Sequence, residues 1–246
     1  MVRMKYLLLV VLFTSIIFSS RAQIPYTLSP GTDIPILGFG TFTMSYALFL
    51  HKNHPVLTQV QASAIDTTLL GIFDLPTIHY NNKTADKIST IMLGLSFLSV
   101  GAPLLDSRMQ DNYGTYLAIQ GETILNGLGT YGSFKNTVNR PRPYMCTSSD
   151  TTCMRFSKGA TSSFPSGHVT MTACNTFYTA KIINDISHNT ALKIGAWTTA
   201  SIYPAIVAYL RVKSGKHYPT DVIAGYLIGA ATGILIADLH QLRAPN

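Results

Sequence analysis

The stretch PSGHVTMTACNTFYTAKIINDI, residues 165–186, decides the fold. As one helix it would be about 33 Å long, close to the thickness of a bilayer core. Pro165 suits a first helical turn, because its φ is preset and its missing N–H would have had no partner there. Ser166 fits a capping position. Gly167 and His168 do not fit so easily. Glycine weakens a first turn, and a histidine is an odd opening for an apolar segment. The question is what binds at that helix end.

Similar apolar runs lie on both sides, at 34–50, 88–105, 114–132, 193–210 and 219–239. Each is near membrane-spanning length. The expected fold is therefore all-α: a bundle of about six apolar, membrane-embedded helices with its site at one end. Several runs are impure, since 114–132 holds Glu122 and 165–186 holds His168 and Lys181. A soluble all-α bundle of unusually apolar helices is the other reading. The long polar stretch 51–87 joins the first two runs, with a short amphipathic helix expected around 56–70. No internal repeat, heptad run or low-complexity tract is visible.

Composition agrees with a membrane chain. Only 12% of the 246 residues are charged, against roughly 25% in soluble domains. Mean hydropathy is +0.24, and Glu122 is the sole glutamate. The length suits a single domain, residues 23–246. Before it, MVRMKYLLLVVLFTSIIFSSRAQ reads as a signal peptide over residues 1–22: a basic start, an apolar run, and Ser20-Arg21-Ala22 before Gln23. An uncleaved anchor is the alternative. Removing 1–22 takes away Arg3, Lys5 and Arg21 but no acid, leaving 15 basic and 11 acidic residues.

Eight of those 15 cations sit in two windows. Lys135, Arg140, Arg142, Arg155 and Lys158 precede residue 165; Arg211, Lys213 and Lys216 follow the fifth run. Such clustering points to an anionic ligand. Nucleic acid is excluded as partner, for neither window offers a groove-reading or aromatic-interleaved element. Cys146 and Cys153 share a polar loop and are a possible disulfide in an oxidising compartment, whereas Cys174 belongs to an apolar run. No spacing suggests a zinc site, and neither metal nor other cofactor is expected. His51, His54, His79, His188 and His240 have no partner at a telling spacing. Tyr113, Tyr116 and other scattered aromatics suit interfacial belts.

Three windows carry the chemistry: KNTVNRPRP at 135–143, PSGH at 165–168 and RVKSGKHYPTD at 211–221. The pattern Lys-x6-Arg-Pro, Pro-Ser-Gly-His, Arg-x5-His-x3-Asp resembles the signature of the type-2 phosphatidic acid phosphatase and vanadium haloperoxidase superfamily. One departure is Leu210, where the family usually has serine before the arginine. The resemblance implies His217 as nucleophile forming a phosphohistidine, His168 as acid and then base, and Asp221 holding the second ring nitrogen of His217. The i,i+4 spacing of His217 and Asp221 puts them on one helical face if the last helix begins there.

The residues themselves fit a phosphate. Lys135, Arg142 and Arg211 supply three cations, two of them guanidinium forks. The Ser166 hydroxyl and the main-chain N–H groups at the helix start would face the same oxygens, and Gly167 would let that backbone approach closely. Arg140, Lys158, Lys213 and Lys216 read as supporting or headgroup-facing charges.

The expected function is a metal-independent phosphatase acting on a lipid phosphate or diphosphate in the bilayer, with no obligate protein partner evident. The alternatives are a soluble exported acid phosphatase of broad specificity, a vanadate-dependent haloperoxidase, and a non-catalytic lipid- or phosphate-binding membrane protein. Both cationic windows fall on one side, since two crossings separate them. An exported Gln23 followed by three crossings would place that side inward, whereas export and the cysteine pair favour an extracytoplasmic site. The expectation chosen is an early segment that does not span.

Overall fold

The computed structural model describes residues 24–54, 70–146 and 159–241. Among the described residues the chain is all-α, with seven helices: α1 Pro30–Lys52, α2 Lys83–Ser99, the short α3 Ser107–Asp111, α4 Tyr113–Val138, α5 Gly167–Ile186, α6 Thr190–Lys213 and α7 Pro219–Leu239. The six long ones coincide with the six apolar runs. Local chemistry sets their ends. Asn82 caps α2 by accepting from the Ala85 N–H at 2.9 Å, and Asn189 caps α6 through the Ala191 and Leu192 N–H groups. Pro30 and Pro219 open α1 and α7. α4 runs to Val138, past the end of its apolar run, so its last turn carries Lys135. A helix continues wherever its backbone is satisfied, whatever the polarity of its last turn.

The long helices alternate in direction. The C-terminal ends of α1, α4 and α6 meet the N-terminal ends of α2, α5 and α7. Asn136 Nδ2 donates to Ala47 O at 3.2 Å, Asn82 N to Lys213 O at 3.2 Å, and Ser166 N to Asp221 O at 3.0 Å. At the opposite end Thr27 N donates to His240 O at 3.0 Å, and Arg108 to Ile186 O at 2.5 Å. Both cationic windows therefore share one end, and residues 24–30 lie at the other. α1, α2 and α4 all run along the bundle between these two ends. The expected signal peptide (1–22), most of the amphipathic helix expected at 56–70, and Arg155 and Lys158 lie outside the described residues.

α5 is the axis. It is buried along most of its length, against α7 on one side and α6, α4 and α2 on the others. A row of small residues brings α7 against it: Gly225, Gly229 and Gly233, spaced four apart. A Cβ on Gly229 would stand 2.1 Å from Thr170 O, and one on Gly233 would stand 2.5 Å from Cys174 O. The glycines let two backbones touch, as small-residue stripes do between membrane helices. That contact fixes where Asp221 and His217, at the start of α7, stand against Ser166 and His168, at the start of α5.

The outer surface is apolar. Ile34, Phe42 and Phe49 on α1, Leu98 on α2, Ile194 on α6 and Leu227 on α7 are each more than 60% exposed. α1, residues 83–105 including α2, and α7 are long and apolar enough to cross a membrane. Replacing Gly229 by alanine should force α5 and α7 apart and cost ~1–3 kcal/mol. Gly38→Ala, with nothing within 4 Å of the added carbon, should be neutral or slightly stabilising. Thermal unfolding in detergent measures both; equal midpoints would show that the α5–α7 contact does not depend on the missing side chain.

Candidate active site

The third window supplies its centre. His217 lies in the loop just before α7 and is 1% exposed. Its Nδ1 lies 2.7 Å from Ser163 O. A carbonyl only accepts, so Nδ1 carries the hydrogen and the neutral ring keeps its lone pair on Nε2. Nε2 in turn lies 3.4 Å from Arg142 Nη1. Burial, and then the charges of Arg142, Arg211 and Lys135, hold the imidazole well below the ordinary histidine range. The result is a neutral, oriented ring whose unprotonated nitrogen faces a guanidinium.

Asp221 does not hold that ring. Its Oδ2 is 3.7 Å from Nδ1. Oδ2 instead accepts from the Ser163 hydroxyl at 2.5 Å and from Tyr218 N at 2.9 Å, while Oδ1 accepts from Arg140 Nη1 at 2.5 Å. The physical reason is that α7 begins at Pro219, so His217 is outside the helix and the i,i+4 geometry does not apply. Asp221 acts one step back: it fixes Ser163, whose carbonyl orients His217.

Arg142 is fastened by main-chain carbonyls, donating from Nε to Gly159 O at 2.7 Å and from Nη1 to Lys216 O at 2.9 Å. It lines a cavity of about 360 Å³ together with Asp86, Tyr144, His168, Arg211 and Lys216. Thr90 and Gly159 complete the lining. His168, at the start of α5, is half-buried with Nε2 3.3 Å from Thr90 Oγ1. Arg211 donates to Asp86 Oδ1 at 2.5 Å and to Ser89 Oγ at 3.3 Å, and its buried Nε has no hydrogen-bond partner. A hydroxyl does reach this arginine, from α2 rather than from the position that Leu210 holds.

Two residues of the second window differ from expectation. Ser166 does not cap α5: its hydroxyl is buried and has no hydrogen-bond partner, and it is not part of the cavity lining. Gly167 is required by packing. A Cβ there would lie 2.7 Å from the Tyr131 ring of α4, so its immediate role is to admit that ring. Lys135 lines a neighbouring apolar groove of about 270 Å³ between α1 and α4, with Met44, Leu48, Leu128 and Tyr131. Gly159 borders both spaces.

Sequence reasoning missed the anions. Asp86 is the carboxylate within the cavity, and Asp74 binds Arg140 Nη2 at 2.6 Å while accepting from Thr220 N and Oγ1. Neither belongs to a motif window. Arg140 thus bridges Asp74 and Asp221 and lies over the Tyr218 ring, 4.3 Å from its centroid. Lys213 lies over the Tyr80 ring instead. His54, read as unpartnered, is buried with Nε2 3.4 Å from Ser162 Oγ. The pairing of Cys146 with Cys153 lies outside the described residues, and Cys174 is buried as expected.

The family model of the PAP2 superfamily matches residues 116–245, a span that contains all three windows. The chain belongs to the PAP2 superfamily. Among solved structures it is similar to one described as the first transmembrane PAP2 type phosphatidylglycerolphosphate phosphatase from Bacillus subtilis. Identity is 19%, over 82% of this chain and 93% of that one, with a TM-score of 0.47. A search of the curated proteins returns no match. Membership of the PAP2 superfamily indicates phosphatase activity.

In this PAP2 protein the Arg140 bridge is a stability element. Arg140→Ala would leave two buried carboxylates without their cation, at a cost of ~3–5 kcal/mol. Denaturant unfolding in detergent should show the loss. A variant as stable as the parent would mean that Asp74 and Asp221 do not depend on that charge.

Proposed function

We propose that this PAP2 protein hydrolyses a lipid phosphate or diphosphate through a phosphohistidine at His217, without a metal at the reacting phosphorus. The observation that carries the reading is the unprotonated His217 Nε2, 3.4 Å from Arg142 Nη1, where Arg142 lines one cavity with His168 and Arg211. A phosphoryl group spreads negative charge over three oxygens, and the guanidinium groups offer fixed donors to them. Nε2 attacks phosphorus, and the bond from phosphorus to the leaving oxygen breaks. His168 gives that oxygen a proton. His168 then takes a proton from water, whose oxygen attacks phosphorus and releases His217 and inorganic phosphate. The bound phosphate brings negative charge beside His168, which favours the protonated ring that the first step needs. Lys135 and Ser166 would complete the phosphate shell once substrate draws the two spaces together; Asp221 positions.

The lipid part of the reading rests on apolar surroundings. The groove that ends at Lys135 has hydrocarbon walls, and the bundle presents large apolar side chains outward, as a protein in a bilayer does and a soluble monomer does not. We place residues 23–246 in the membrane as one domain, with 1–22 as its signal peptide. If α1, α2 and α4 each cross, the site faces the side opposite residues 24–30. An exported Gln23 and an extracytoplasmic site are then incompatible.

Phosphate release from phosphatidic acid, phosphatidylglycerophosphate, a polyprenyl diphosphate and a water-soluble ester tests the reading. The lipids should be preferred, and His217→Ala should lower turnover ~10³-fold or more. Because His217 is held neutral, its protonation should reduce kcat/KM only below the ordinary histidine value of ~6.5. Full turnover by His217→Ala, or an acid limb above that value, would contradict the nucleophile. A preference for the soluble ester would contradict the lipid.

A further inference from the structure

At the end of the bundle away from the phosphate cavity, three residues from three helices meet. Asp33 stands in the first turn of α1, Glu122 on α4, and His240 at the C-terminal cap of α7. One side-chain donor atom from each lies within 4.8 Å of the other two. His240 Nε2 is 2.9 Å from Asp33 Oδ1 and 3.1 Å from Glu122 Oε2. We propose that this cluster binds one divalent first-row cation, Mn²⁺ or Zn²⁺ by its donor set, which ties α1, α4 and α7 together.

The hydrogen count argues for an ion. His240 Nδ1 lies 2.8 Å from Ile236 O, so its hydrogen is committed to that carbonyl. This is the arrangement by which metal-bound histidines are usually oriented. In the neutral ring Nε2 then offers only a lone pair, and three acceptors converge with no hydrogen between them. In the charged ring a single Nε2–H faces two carboxylates. Two negative charges remain with the neutral ring and one with the charged ring. Glu122 is 3% exposed, and its Oε2, directed at the cluster, meets only His240 Nε2, at 3.1 Å. Lys181 does not supply the missing charge, because it is held by Asp185 and Asp238.

The spacing fits an octahedral ion such as Mn²⁺ more closely than tetrahedral Zn²⁺, whose ligands stand about 3.4 Å apart. Adjacent ligands on an octahedral ion with bonds of ~2.1 Å stand about 3.0 Å apart. The two distances from Nε2, 2.9 and 3.1 Å, bracket that value. Two carboxylates with one imidazole suit Mn²⁺ or Zn²⁺ better than a thiolate-seeking metal. α7 separates the cluster from His217 by about 30 Å, so the ion is structural and takes no part in phosphate release.

The test uses the full, untagged chain in detergent, stripped with a chelator and titrated with Mn²⁺ and with Zn²⁺. One equivalent should bind and raise the unfolding temperature. Asp33→Asn and Glu122→Gln should each weaken binding at least tenfold, while phosphate release by the chelated parent stays unchanged. No binding to the folded parent would overturn the proposal and leave a protonated His240 between two acids. So would binding that neither substitution alters.

Discussion

Positive charge held at the end of an apolar helix bundle is the constraint on which the site depends. Arg142 and Arg211 are buried or nearly so, and a charge removed from water is costly unless fixed dipoles or counter-charges replace the lost hydration. Arg142 receives two main-chain carbonyls, and Arg211 receives Asp86. That leaves a cationic cavity in which an anion with several oxygens gains more than it would in water. Burial, and after it the same field, holds His217 below the ordinary histidine range. On the proposed reading, binding the phosphate and preparing its nucleophile would be two consequences of one buried, cationic setting.

The acids divide the labour. Asp74 and Asp221 are drawn away from the cavity by Arg140, Thr220 and Ser163, and they hold the start of α7 in place. Asp86 alone faces the phosphate side, where it anchors Arg211 without filling the cavity. Exchanging those roles would neutralise the cavity and loosen the helix start together. The glycine row of α7 belongs to the same design, since it sets the distance at which the two histidine-bearing segments face each other.

Much of this was legible in the sequence, for identifiable reasons. Helices in a lipid-facing bundle must be long and apolar, so six runs announced six helices. The three windows are local in sequence, so Arg142, His168 and Arg211, which meet at one cavity, could be picked out together. What stayed hidden depends on contacts across long separations. Asp74 finds Arg140 and Thr220, Asp86 finds Arg211, and Asp33 and Glu122 find His240 with no spacing that signals it. The role given to Asp221 relied on helical spacing across a residue that is not in the helix. Gly167 was tied to phosphate approach, yet its nearest constraint is the Tyr131 ring. The conflict between an exported start and an extracytoplasmic site was already visible in the count of apolar runs, and the alternation of α1, α2 and α4 agrees with that count.

The central claim is that His168 and His217 act on one phosphorus atom from opposite sides, among Arg142 and Arg211. An experimental structure with vanadate, which adopts the five-coordinate geometry of phosphoryl transfer, tests it most directly. The account requires vanadium bonded to His217 Nε2, equatorial oxygens on the two arginines, and the apical oxygen within hydrogen-bond reach of His168. Vanadate held elsewhere, or bound at His217 with the His168 ring out of reach of it, would contradict the account.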